Sequence, residues 1–127
     1  MTIVALDTSA LMAPVERDLR LFDELDRLLG AYQLVVPRTV RGELGELTGS
    51  AGGTAAKAAA VGADLAERGE ARETDADTAD AALVELAEGG TVDLVASMDG
   101  PLADRILAAG VPVITDRGQQ TLEITYP

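Results

Sequence analysis

Short apolar runs alternate along this chain with longer segments in which apolar residues return every three or four positions. Thr2-Ile3-Val4-Ala5-Leu6 is an apolar run broken by Asp7-Thr8-Ser9, the pattern of a buried strand that delivers a polar loop. Pro14 is expected to limit any helical turn that follows. Between Asp18 and Leu29 the residues Leu21, Phe22, Leu25, Leu28 and Leu29 recur at helical spacing, and Gly30 stops the pattern. Leu34 to Pro37 reads as a second strand, and Arg38 to Leu47 as a helix with Val40, Leu44 and Leu47 on one face. Thr48 to Gly53 is predicted to be a loop, with Thr54 capping an alanine-rich helix that runs to about Arg68.

Residues 71–74 are predicted to form a short edge strand, and Asp75 or Asp77 to open a helix that ends before Gly89-Gly90. Val92 to Ser97 is another buried strand. Pro101 marks the first turn of a helix ending near Ala109 and Gly110. Val111 to Thr115 is the last core strand, and Leu122 to Tyr126 adds an edge strand. Strands alternating with helices predict an α/β fold with a mainly parallel sheet covered on both faces. In such sheets, sites lie beyond the carboxyl ends of the strands.

Composition narrows the chemistry. The 127 residues, 47% of them hydrophobic, suit one domain spanning 1–127. With no cysteine and no histidine, thiolate zinc sites and imidazole general bases are excluded, leaving carboxylates, hydroxyls and backbone. No apolar run approaches the ~20 residues of a membrane span, and the N-terminus lacks the pattern of a signal peptide, so a cytoplasmic protein without a membrane partner is expected. The net charge of −12 comes from 22 acids against nine arginines and Lys57. Such a surface ordinarily repels nucleic acid. The same acid-rich, lysine-poor, aromatic-poor composition suits a halophilic chain, since charges are screened within about 3 Å at 1 M salt.

Four acids stand out from this background. Asp7 directly follows the first buried strand, and Asp99 follows the strand containing Leu94, Val95 and Ala96, so both lie at strand carboxyl ends. Glu43, three residues after Val40 and four before Leu47, is predicted to lie on the apolar stripe and face the sheet. Asp80 shares a helix side with Leu83, Val84 and Ala87. Four such acids converging, with few cations to neutralise them, would raise one another's pKa values, and all-oxygen ligation of Mg²⁺ or Mn²⁺ is the natural remedy. That inventory fits phosphodiester hydrolysis best. Local roles stay open beside this one: Asp7 as the cap of a turn, Asp99 as the N-cap of the helix at Pro101, and Asp80 as a helix N-terminal acid. Asp23, Glu24, Asp26, Glu67, Glu85, Glu88 and Asp104 fall mostly on polar helix faces. Asp116, after Val113-Ile114-Thr115, is a candidate supporting member of the cluster.

The motifs Leu6-Asp7-Thr8-Ser9-Ala10-Leu11, Val40-Arg41-Gly42-Glu43-Leu44, Ala79-Asp80-Ala81-Ala82-Leu83 and Val95-Ala96-Ser97-Met98-Asp99 follow one another in an order that resembles PIN-domain nucleases. The similarity, over nearly the whole length, is to VapC toxins and to small archaeal PIN proteins related to ribosomal RNA processing nucleases. Two departures are Ala81, where many archaeal relatives carry a second acid, and Met98, where Asn is frequent. The resemblance implies a three-layer α/β/α fold with strand order 3-2-1-4-5. It implies Asp7, Glu43, Asp80 and Asp99 as catalytic and metal-binding residues, and Ser9 as a supporting group. The implied activity is a Mg²⁺- or Mn²⁺-dependent endoribonuclease on single-stranded RNA. Arg38, Arg41, Arg105 and Arg117 lie near the expected site as phosphate contacts, with surface ion pairs as their alternative role. An antitoxin, a ribosome-assembly partner and a second copy of the chain are the further partners the resemblance admits.

A response-regulator receiver needs a lysine after its last core strand, and the only lysine, Lys57, lies in the alanine-rich helix. A haloacid-dehalogenase-like phosphatase needs an aspartate where Ser9 stands. The alternative of another class is a catalytically silent PIN-like scaffold that binds protein or RNA.

Overall fold

The computed structural model describes residues 1–127. Its strands are β1 (Thr2–Leu6), β2 (Tyr32–Pro37), β3 (Glu70–Arg72), β4 (Leu94–Ala96), β5 (Val113–Asp116) and β6 (Leu122–Thr125). They form one sheet in the order β3-β2-β1-β4-β5-β6. Every pairing is parallel except β5 with β6, so the order 3-2-1-4-5 holds and a C-terminal antiparallel strand extends it. Val4, Ala5 and Leu6, Val35 and Val36, Val95 and Ala96, and Val113 and Ile114 are all buried. Continuous apolar strands of this kind are what a sheet covered on both faces requires.

The helices are α1 (Thr8–Glu16), α2 (Leu21–Leu29), α3 (Arg38–Ser50), α4 (Gly53–Ala66), α5 (Ala79–Glu88) and α6 (Gly100–Ala108). Right-handed crossovers place α1 to α4 on one face and α5 and α6 on the other, because the chain reverses its direction across the sheet after β3. β1 is therefore the switch point: the chain leaves it toward β2 on one side and returns to β4 on the other. The register sets Leu6 beside Ala96, and the Asp7 N–H donates to the Ala96 carbonyl at 3.2 Å. No helix is long and apolar enough to cross a membrane.

Several boundaries differ from the sequence expectation. Pro14 lies inside α1 rather than ending it. The proline removes one backbone donor, but Ala10, Leu11 and Ala13 are fully buried and hold the helix in place. α3 continues through the predicted loop as far as Ser50, with the Thr48 and Ser50 hydroxyls donating to the Leu44 and Glu46 carbonyls at 2.8 and 2.7 Å. α4 starts at Gly53, capped by Gly52 without a side-chain bond, so Thr54 lies inside the helix it was expected to cap. α5 opens at Ala79 because Thr78, not Asp75 or Asp77, accepts the Ala81 N–H.

One glycine sets the position of α1. A Cβ on Gly62 of α4 would lie 3.0 Å from the Leu11 carbonyl oxygen and 3.2 Å from Leu44 Cδ2. Only glycine lets the two helices approach this closely.

Candidate active site

Asp7 is the N-cap of α1, and its Oδ1 accepts the Ala10 N–H at 2.7 Å. Ser9 donates to both Asp7 oxygens, at 2.8 and 2.9 Å, and the fully buried Ser97 donates to Oδ2. Each serine hydroxyl also accepts from the turn after β4: Ser9 from the Met98 N–H at 2.8 Å and Ser97 from the Asp99 N–H at 3.1 Å. The two hydroxyls thereby tie the ends of β1 and β4 together. Asp99 caps α6 through Oδ1, which accepts the Leu102 N–H at 3.1 Å. The capping roles of Asp7 and Asp99 are thus real, and they orient both carboxylates beyond the sheet edge.

α5 brings Asp80 in its first turn, where Thr78 supplies the cap and leaves the Asp80 carboxylate without a capping bond. α3 brings Glu43. These four acids line one cleft of about 240 Å³, together with Thr8, Ser9, Met12, Glu16 and Leu47. Ser9, Met12 and Glu16 lie three and four residues apart on α1, so one helix face supplies them all.

Glu43 and Asp80 do not face the sheet as their helix positions predicted, because both are exposed. Glu43 lies at the margin of the α3 stripe beside Leu47, itself half-buried, and that margin opens onto the cleft. Asp80 occupies the corresponding margin of α5, whose buried face is formed by Ala79, Ala82, Leu83, Leu86 and Ala87.

Burial, more than any neighbour, pushes the Asp7 carboxyl up to about 6, against the opposing pull of hydrogen bonds from Ser97, Ala10 and Ser9; the charge of Asp80 adds to the rise. Asp80 is also raised, first by its own desolvation and then by the charges of Asp99 and Glu43, with Arg105 opposing. No lysine or arginine lines the cleft. No three carboxylates stand close enough together to hold one ion among them directly. An all-oxygen, net-negative cleft of this size suits a hard cation bound through one or two carboxylates and completed by water, the usual manner of Mg²⁺.

The remaining sequence candidates separate. Asp116 lies outside the cleft; it receives Arg17 Nη1 at 2.9 Å and the Gly118 N–H at 2.6 Å, and the latter bond leads in holding its pKa low. Arg38 pairs with Glu73 at 3.1 Å on the surface. Arg41 is committed to structure, donating to the Ala66 and Gly69 carbonyls at 2.8 and 2.9 Å and pairing with Glu67. Arg117 is exposed and unpaired, as is Arg105, which lies near enough to Asp80 to influence it. Glu16 and Ser97 are the residues that sequence reasoning missed. Glu16 was hidden by reading Pro14 as a helix stop. Ser97 carried a signal, as a hydroxyl at the end of a buried strand two residues before Asp99.

A family model described as a PIN-like domain matches residues 4–119. No match was found among curated proteins. Among solved structures, the PIN domain endonuclease Utp24 is similar at 25% identity and a TM-score of 0.78, over 98% of this chain and 92% of that one. A domain of a functionally unknown protein from Methanocaldococcus jannaschii DSM 2661 shares the fold, at 15% identity, a TM-score of 0.67 and full coverage of both chains.

Proposed function

This chain belongs to the PIN-like domain family, and on that premise we propose that it is a metal-dependent endoribonuclease acting on single-stranded RNA. The fold is of the nuclease type, and its solved relative Utp24 is described as an endonuclease. The near-complete mutual coverage with that relative supports reading residues 1–127 as one domain of this kind. The observation that carries the proposal is the cleft at the switch point, where Asp7, Glu43, Asp80 and Asp99 meet without a neutralising cation from the protein.

Bound Mg²⁺ or Mn²⁺ would supply Lewis acidity toward a phosphodiester and an activated water. Asp7 and Asp99, held by helix caps and by the two serines, are the rigid members of the donor set. Asp80 and Glu43 enter from α5 and α3 on exposed side chains that can turn toward an ion. Ser9 holds the Asp7 carboxylate in its orientation. Arg105 is the one basic residue placed to contact RNA phosphate beside Asp80. The acidic exterior we ascribe to adaptation to high salt, where screening removes most of its repulsion toward RNA.

A silent scaffold is the second reading, favoured by the absence of any three carboxylates within direct reach of one ion. Cleavage of a single-stranded RNA oligonucleotide with Mn²⁺ or Mg²⁺ at high salt decides between them. We expect the wild type to cut and Asp7→Asn, matched for folding, to lose cutting. Equal activity in both, or none in the wild type across metals and substrates, refutes the enzyme.

A further inference from the structure

Three side-chain polar atoms in the chain are buried with no hydrogen-bond partner: Thr8 Oγ1, Thr39 Oγ1 and Arg41 Nε. Of these residues, only Thr8 lines the acidic cleft. It is 8% exposed and stands directly after Asp7 as the first residue of α1. An unpaired buried hydroxyl costs about 1–3 kcal/mol, so one that a fold retains calls for an explanation, a role in catalysis or binding among them.

The donors around Thr8 are already engaged. Ser9 and Ser97 both donate to Asp7, and no guanidinium or ammonium lines the cleft. An anionic ligand entering here needs a hydrogen-bond donor as well as a cation, and Thr8 carries the cleft's only uncommitted side-chain hydroxyl. Threonine in a helix has two accessible rotamers, so rotation about Cα–Cβ exchanges its hydroxyl and methyl without moving the backbone.

Building on the nuclease reading above, we propose that Thr8 is a substrate-binding residue whose hydroxyl donates to a non-bridging oxygen of the RNA phosphodiester. The orphaned donor then gains an acceptor when the substrate is bound. Asp7 stays free for the chemistry, and the two serines stay free to hold it.

Thr8→Val keeps the shape and removes the hydroxyl, while Thr8→Ser keeps the hydroxyl. We expect Thr8→Val to unfold at the same or a higher temperature than the wild type, because an unpaired polar group has gone. Its kcat/KM on single-stranded RNA should fall about ten- to hundredfold, the scale of a hydrogen bond to a charged group, and Thr8→Ser should retain most of the activity. Affinity for the same RNA, read by fluorescence anisotropy with Ca²⁺ in place of Mg²⁺, should weaken in Thr8→Val and recover in Thr8→Ser. A Thr8→Val protein that cuts and binds like the wild type overturns this inference and leaves the nuclease reading intact. Loss of stability in step with activity assigns Thr8 a structural role and also overturns it. A wild type that binds without cutting refutes the nuclease reading, while the binding comparison still decides Thr8. A wild type that does neither refutes both.

Discussion

At neutral pH the Asp7 carboxylate is ionised in a site that leaves it 3% exposed, and the fold carries that charge at a cost. Its pKa of about 6 stands above the ordinary 3.8, so the folded state holds the proton more tightly than the unfolded chain does. The resulting stabilisation is fully present below pH 3.8 and is lost as pH rises through about 6. Without divalent cations, Asp7→Asn should therefore raise stability at neutral pH by up to about 3 kcal/mol. The gain should vanish below pH 4 or so, as urea denaturation at the two pH values would show. Mg²⁺ should reverse the ranking by stabilising the wild type alone, by about 4.1 kcal/mol at a thousandfold excess over Kd. Two arginines provide a second residue-level contrast. Arg41→Met removes the side-chain donor to the Gly69 carbonyl and one of the two donors to the Ala66 carbonyl, which keeps the Gly69 N–H, and should cost about 1–3 kcal/mol in chemical denaturation. Arg105→Ala should leave stability unchanged but lower the salt slope of RNA binding by about one. Both arginines lie near a motif acid in sequence, and nothing local distinguishes the one that folds inward.

At the level of elements, α1 is the helix on which the cleft depends. It presents Asp7 at its cap, Thr8 and Ser9 in its first turn, and Met12 and Glu16 along one face. Its position is set by Gly62, where a side chain would meet the backbone oxygen of Leu11. Gly62→Val should lower stability by about 1–3 kcal/mol through overpacking, measured as a lower urea midpoint with an unchanged slope. RNA cleavage should fall further than stability alone explains, because α1 and its cap Asp7 supply five of the lining residues. The start of α1 was legible in the sequence, since a strand-end aspartate followed by Thr-Ser is a capping signal. Its length was not, because the proline penalty is local and its compensation by burial against α4 is not. The same division governs α3, where spacing placed Glu43 on the apolar stripe facing the sheet, while the structure leaves it exposed at the stripe's margin, which α1 and α5 turn into a cleft.

At the scale of the whole molecule, net charge is the property that experiment reaches most directly. With 22 acids against ten basic residues, the surface repels itself at low salt. Screening contracts from about 30 Å at 0.01 M to about 3 Å at 1 M. The thermal midpoint should therefore rise steadily across that range of KCl, and a flat response would remove the salt-adaptation reading. The sequence by itself determined the alternation of strands and helices, the placing of Asp7 and Asp99 at strand ends, and the chemistry left open without histidine or cysteine. These follow from neighbours a few positions apart and from composition. Tertiary structure bore out the β1–β4 neighbourhood that the family resemblance implied, and it alone decided that Ser97 reaches back ninety positions to Asp7 and that Glu16 joins the cleft. It also decided that Thr8 is left there with an unspent hydroxyl. Each of these depends on which distant surfaces bury one another, and periodicity along a chain carries no record of that.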